Sequence, residues 1–184
     1  YRGYDSSGIV TIHDSAIALK RAVGKLANLD LALKATPLLG DIGIGHTRWA
    51  THGGVSTENA HPHVASGRVA IVHNGIIENH RTIRARLEAA GHQFSSDTDS
   101  EVLAHLFVEA FDAGLDPATA TRQVLDEIDG AYAFAVMAID HPDLLIVARN
   151  ASPLALGIGD DACYIGSDAI ALSHLTRKVV YLKD

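Results

Sequence analysis

Residues 131–139 read AYAFAVMAI, an apolar run without a single charge. A strand with one wet face alternates apolar and polar residues, and this one does not. Both of its faces are therefore covered, by helices or by a second sheet. The turn DHPD (140–143) and the run LLIVAR (144–149) follow, as a hairpin partner would. Working outward, GIVTI (8–12), AIALKR (16–21), IGIGHT (42–47) and RVAIVH (68–73) read as strands upstream. LALGIG (154–159), ACYIGS (162–167) and KVVYL (178–182) read as short strands downstream. The strands do not alternate regularly with helices as in a doubly wound fold. The pattern predicts an α+β sandwich of stacked sheets with helices outside.

Three segments carry helical spacing and end signals. From Glu78 to Ala90, Ile83 and Leu87 repeat at helical spacing and Gly91 supplies the stop. From Asp99 to Ala113, Val102, Leu103, Leu106, Phe107 and Ala110 form an apolar stripe. Thr98 and Glu101 have the spacing of a capping box ahead of that stripe, and Gly114 closes it. The third opens on Asp116–Pro117, an N-cap with proline at the first helical position. Its inward face is Val124, Leu125 and Ile128, and Gly130 ends it. Ser167–Asp168 reads as the start of one further short helix.

The chain has 184 residues, 47% of them hydrophobic, which suits one domain with a sizeable core. A net charge of −7 argues against nucleic acid or an anionic membrane as the main partner. No apolar run is as long as a membrane span, and no signal-peptide pattern opens the chain. One cysteine forms no internal disulfide, so a reducing, cytoplasmic setting is expected. Tyr1 in place of a start methionine, and the abrupt ending KVVYLKD, read as an excerpt from a longer polypeptide.

The densest motif is HTRWATHGGVSTENAHPH (46–63), a glycine-bracketed loop. Arg48 suits a carboxylate, which its planar fork of donors can hold. Trp49 suits a lid that excludes water. The plainer alternatives are a surface arginine and a core-anchoring tryptophan. HNGIIEN (73–79) carries Asn74–Gly75, a common hairpin turn, but here a strand precedes it and a helix follows. Glycine at such a junction lets a ligand approach the backbone. The Gly75 N–H and the Asn74 amide are then candidate donors to one oxyanion. In SDTDSEV (96–102), Asp99 serves either the helix dipole or a bound ammonium group. Together these residues predict an amino-acid site: Arg48 for an α-carboxylate, Asp99 for an α-ammonium, Asn74 and Gly75 for a reacting carbonyl. No nucleophile accompanies them.

His46, His52, His61, His63 and His73 cluster in sequence, but their spacing matches no standard zinc motif, so no metal is expected. GDIGIG (40–45) lacks the G-x-G-x-x-G order and is no nucleotide loop. Cys163, in DDACYIGSD (160–168), follows two aspartates and has no flanking cation to lower its pKa. It reads as a buried or half-buried small hydrophobe, remote along the chain from the candidate site.

YRGYDSSG (1–8), HTRWATHG (46–53), NAHPH (59–63), VHNGIIEN (72–79) and SDTDSEV (96–102) resemble, in order, the glutaminase domain of the glucosamine-6-phosphate synthases. These are the glutamine–fructose-6-phosphate aminotransferases (isomerizing), within the class II glutamine amidotransferases. The resemblance covers nearly the whole chain. It implies the N-terminal-nucleophile hydrolase fold, an αββα four-layer sandwich with two antiparallel sheets between helical layers. It implies a cysteine at the mature N-terminus, whose thiol attacks the side-chain amide of glutamine and whose own α-amine is the base. It implies Asn74 and Gly75 as the oxyanion hole. Arg48, Thr51, His52 and Asp99 would bind glutamine, with Trp49 on the closing loop. Arg2 and Gly3 would help position the nucleophile's end of the site.

On this resemblance residues 1–184 form one glutaminase domain that lacks the family's first strand and its nucleophile. The sugar isomerase domain that uses fructose 6-phosphate is expected beyond it. The expected ligands are L-glutamine and L-glutamate, without metal or organic cofactor, in amino sugar biosynthesis. The full-length proteins of the family commonly form homodimers. The alternative class is a binding module that holds glutamine or glutamate without hydrolysing it.

Overall fold

A computed structural model describes residues 4–49 and 54–183. The chain opens with β1 (Ser6–His13), β2 (Ala16–Val23), α1 (Leu26–Ala35) and β3 (Ile42–Arg48). Then come β4 (His63–Ala65), β5 (Val69–Ile77), α2 (His80–Ala89), α3 (Glu101–Asp112) and α4 (Pro117–Glu127). It closes with β6 (Gly130–Ala138), β7 (His141–Asn150), β8 (Ala155–Ile158), β9 (Cys163–Gly166), α5 (Ala169–Leu172) and β10 (Lys178–Tyr181). The strands form antiparallel sheets in the orders β2-β1-β3, β4-β5-β6-β7 and β10-β8-β9.

The run at 131–139 organises these layers. Successive side chains of a strand point to opposite faces. On one face of β6, Phe134, Val136 and Ala138 join a core with Leu103, Phe107 and Val124 from helices α3 and α4. On the other, Ala135 and Met137 join a second core with Val10, Ile12 and Ile44 of the β2-β1-β3 sheet. The central strand is thus covered by helices on one side and by a sheet on the other. Truncating Phe134, at 1% exposure, removes a side chain of the class whose loss costs about 3–5 kcal/mol.

Three elements depart from the sequence reading. Helix α1 has no counterpart there, because its N-cap, Lys25, makes no side-chain cap bond and its first turn holds no acid. The turn after β6 is tighter than DHPD, since β7 already begins at His141. The Thr98–Glu101 capping box does not form. Helix α3 starts at Glu101, behind Ser100. The Glu101 carboxylate reaches back past Thr98 and accepts from the backbone N–H groups of Ser95 (2.8 Å) and Ser96 (2.7 Å) and from both their hydroxyls. The Asp116 cap forms as expected, accepting from the N–H groups of Ala118 and Thr119.

Glu101 is 1% exposed. Burial alone would raise its pKa, but His105 and the donors of Ser95 and Ser96 outweigh burial and hold it down to about 2. An unfolded glutamate titrates at about 4.3. Its stabilising contribution is therefore present above that value and lost as pH falls toward 2. Glu101→Gln is expected to lower unfolding stability at neutral pH by about 1–3 kcal/mol and to flatten the acid limb of stability between pH 4 and 2. Urea melts across that range check both, and an unaltered acid limb would exclude this origin for it.

Candidate active site

Strand β3 ends in Arg48, and its inward face carries Ile44, His46 and Arg48 at alternate positions. Strand β5 runs on through Asn74 and Gly75 to Ile77, so Asn-Gly is not a hairpin turn. Asp99 lies in the segment just ahead of α3. A cavity of 690 Å³ opens where these parts meet, within the size range of small-molecule sites. Arg48, Trp49, Asn74, Gly75 and Asp99 all line it. The remaining predicted residues, Arg2, Gly3, Thr51 and His52, lie outside the described residues.

Each residue is held by its neighbours. Arg48 is 5% exposed, which excludes the surface-arginine alternative. Its Nη1 donates to the Gly54 carbonyl at 3.3 Å and lies 3.9 Å from Asp5 Oδ1. Trp49 is 60% exposed, so it anchors no core and stands at the rim. Asp99 Oδ2 accepts from the Ile77 N–H at 2.8 Å, tying the carboxylate to the strand that carries Asn74. Asp99 precedes α3 and does not sit inside its first turn. Gly75 has φ +128°, and a Cβ there would stand 2.0 Å from the Ala131 carbonyl oxygen. No residue with a side chain fits that contact.

Four of the five clustered histidines converge beneath the cavity. The His46 and His61 rings stack at 4.4 Å, and His61 meets His63 edge-on at 4.5 Å. The His73 backbone N–H donates to His61 Nδ1 at 3.3 Å, His73 Nδ1 pairs with Ser100 Oγ at 2.8 Å, and His63 Nε2 pairs with Thr98 Oγ1 at 2.9 Å. Burial lowers the pKa of each. His63 falls to about 3 and His73 to about 4, His61 lies well below its ordinary value, and His46 is lowered against the opposing effect of its bond to Asn74. The imidazoles are therefore neutral at physiological pH. Among the described residues no group of three or more His, Cys, Asp or Glu side chains is set to hold a metal ion. His46, His61, His63 and His73 pack and hydrogen-bond around the cavity.

Cys163 corrects the sequence reading. It is exposed, not buried, and it lines the same cavity although it is distant along the chain. Strand β9 pairs, among the described residues, with β8 alone, and its residues line the cavity. His46 and Ser100 were not singled out as cavity residues, yet both border it. The period of two from Arg48 back to His46 is the signal that finds the first. Ser100 has no comparable signal.

Residues 46–174 match the family model described as a glutamine amidotransferase domain. Two relatives named glutamine–fructose-6-phosphate aminotransferase [isomerizing] align with the whole chain. That from Zymomonas mobilis subsp. mobilis is 55% identical and that from Mesorhizobium japonicum 53%. The chain spans 30% of the length of each. Among solved structures, the phosphoribosylpyrophosphate amidotransferase of B. subtilis, complexed with ADP and GMP, superposes with a TM-score of 0.79 at 27% identity. That match covers 98% of this chain and 39% of the other. The α+β sandwich is accordingly the N-terminal-nucleophile hydrolase fold of the class II amidotransferases. With motif, fold and cavity in agreement, the chain belongs to the glutamine amidotransferase domain family.

Proposed function

We propose that this domain is the glutaminase half of a glutamine–fructose-6-phosphate aminotransferase, releasing ammonia from L-glutamine. The observation that carries the reading is the meeting of a buried guanidinium, a carboxylate and an Asn-Gly pair on one cavity, drawn from three separate motifs. Arg48 takes the α-carboxylate of glutamine as a planar two-pronged donor. Asp99 takes the α-ammonium. The Asn74 amide and the Gly75 N–H donate to the oxygen of the side-chain amide as it becomes an oxyanion. Trp49, at the rim, shields the reacting carbonyl from water.

The nucleophile is the family's N-terminal cysteine, carried ahead of YRGYDSSG. The α-amine of that cysteine titrates at about 7.7–8.0, so it can take the thiol proton near neutral pH. Sulfur bonds to the amide carbon, and the oxyanion collapses to expel ammonia, which leaves with the returned proton. Water then attacks the thioester, freeing glutamate and the thiol. Cys163 has no α-amine of its own to act as base, and it takes no part in these steps.

The released ammonia serves an isomerase domain of the same polypeptide that converts fructose 6-phosphate to glucosamine 6-phosphate. The names of the two relatives and the 30% share of their length support that assignment. A cytoplasmic homodimer engaged in amino sugar biosynthesis completes the proposal. No described helix is long and apolar enough to cross a membrane.

Steady-state hydrolysis of glutamine by the whole polypeptide tests the two halves of the site separately. Asn74→Ala is expected to lower kcat by about 10²–10³, as loss of an oxyanion donor does. An unchanged kcat would remove Asn74 from that role. Arg48→Ala is expected to act mainly on KM for glutamine, raising it by about 10-fold or more. A KM equal to that of the parent would place the α-carboxylate elsewhere.

A further inference from the structure

Asparagine is an ambiguous oxyanion donor. Its amide presents either an NH2, which stabilises an oxyanion, or a carbonyl oxygen, which repels one. Something must fix which end faces the cavity. His46 Nε2 lies 2.7 Å from Asn74 Oδ1. That oxygen can only accept, so Nε2 carries the proton and donates. The bond holds Oδ1 on the β3 side and turns Nδ2 away from His46.

The donor itself is anchored. The His46 ring stacks on His61 at 4.4 Å with planes 24° apart. His61 is in turn fixed through Nδ1 by the His73 backbone N–H, one residue before Asn74. His46 Nδ1 is buried and has no hydrogen-bond partner among the described residues, where the ring's polar tie is the bond to Asn74. His46 and Asn74 stand on different sheets, 28 residues apart, so the bond also sets the position of β3 against β5 at the cavity.

We propose that His46 is a positioning residue that orients the Asn74 amide so that its NH2 faces the reacting oxygen. The inference rests on the reading of Asn74 as an oxyanion donor and adds to it the group that gives the donor its direction. His46 itself touches no reacting atom in this scheme. Its contribution is preorganisation: the amide needs no reorientation when charge develops.

Two substitutions separate donation from packing. His46→Phe keeps an aromatic ring against His61 and removes the donor. His46→Gln loses the ring and keeps an amide N–H at similar reach. In the whole polypeptide, His46→Phe is expected to lower glutaminase kcat about 10-fold, one lost hydrogen bond's worth, with KM for glutamine within about 2-fold of the parent. His46→Gln is expected to recover most of that loss. On an Asn74→Ala background, His46→Phe is expected to lower kcat by no more than about 2-fold, because the group it orients is gone. Three results would overturn the inference: kcat unchanged in His46→Phe while Asn74→Ala lowers it, equal losses in His46→Phe and His46→Gln, or the same loss with and without Asn74. If Asn74→Ala itself leaves kcat intact, the donor reading fails first and takes this inference with it.

Discussion

The antiparallel pairing of β5 with β6 joins the strand that carries Asn74 and Gly75 to the strand at the centre of both cores. The register sets Gly75 opposite Tyr132 and Ile77 opposite Gly130. The backbones approach so closely that a Cβ on Gly75 would stand 2.0 Å from the Ala131 carbonyl oxygen, and one on Gly130 would stand 2.1 Å from that of Ile76. Both glycines adopt φ +128°. This tight seam delivers Asn74 to the sheet-facing side of β5 and His73 to the helix-facing side. Asn74 therefore meets His46 of β3, and His73 meets Ser100 ahead of α3. The same seam positions the Ile77 N–H that binds the Asp99 carboxylate. A shift of one residue in this pairing would exchange the faces of the whole strand.

Among the described residues that line the cavity, Arg48 and Asp99 are the only arginine, lysine or acidic side chains. The described imidazoles that border or underlie it are kept neutral by burial, so they act as fixed dipoles and packing surfaces. Arg48 and Asp99, both nearly buried, carry the opposite charges that an amino acid's α-groups would meet. The hydrogen-bonded, uncharged pair Asn74 and His46 lines the same cavity. On the proposed reading that arrangement suits a reaction whose new charge is transient, because preorganised neutral donors act without being neutralised by a permanent ion pair.

Much of this was legible in the residues. The uncharged run at 131–139 implied cover on both faces, and the helices and the β2-β1-β3 sheet supply it. Arg48, Trp49, Asn74, Gly75 and Asp99 stand out by residue type and by their place on loops and element ends, and they share one cavity. What escaped the reading has local physical causes. Helix α1 lacks a capping side chain, so it has no start signal. The Thr98–Glu101 spacing fits a capping box, but a buried glutamate found stronger partners in Ser95 and Ser96. Cys163 is remote in the chain and adjacent in space, which no pattern along a single segment can convey.

A crystal structure of the whole polypeptide with L-glutamate bound would locate the amino-acid site. The α-carboxylate is expected on Arg48, the α-ammonium on Asp99, and an oxygen of the side-chain carboxylate within hydrogen-bond reach of Asn74 Nδ2 and the Gly75 N–H. The His46–Asn74 bond is expected to stay intact. Glutamate bound elsewhere, or lying in this cavity with its α-groups away from Arg48 and Asp99, would contradict this placement.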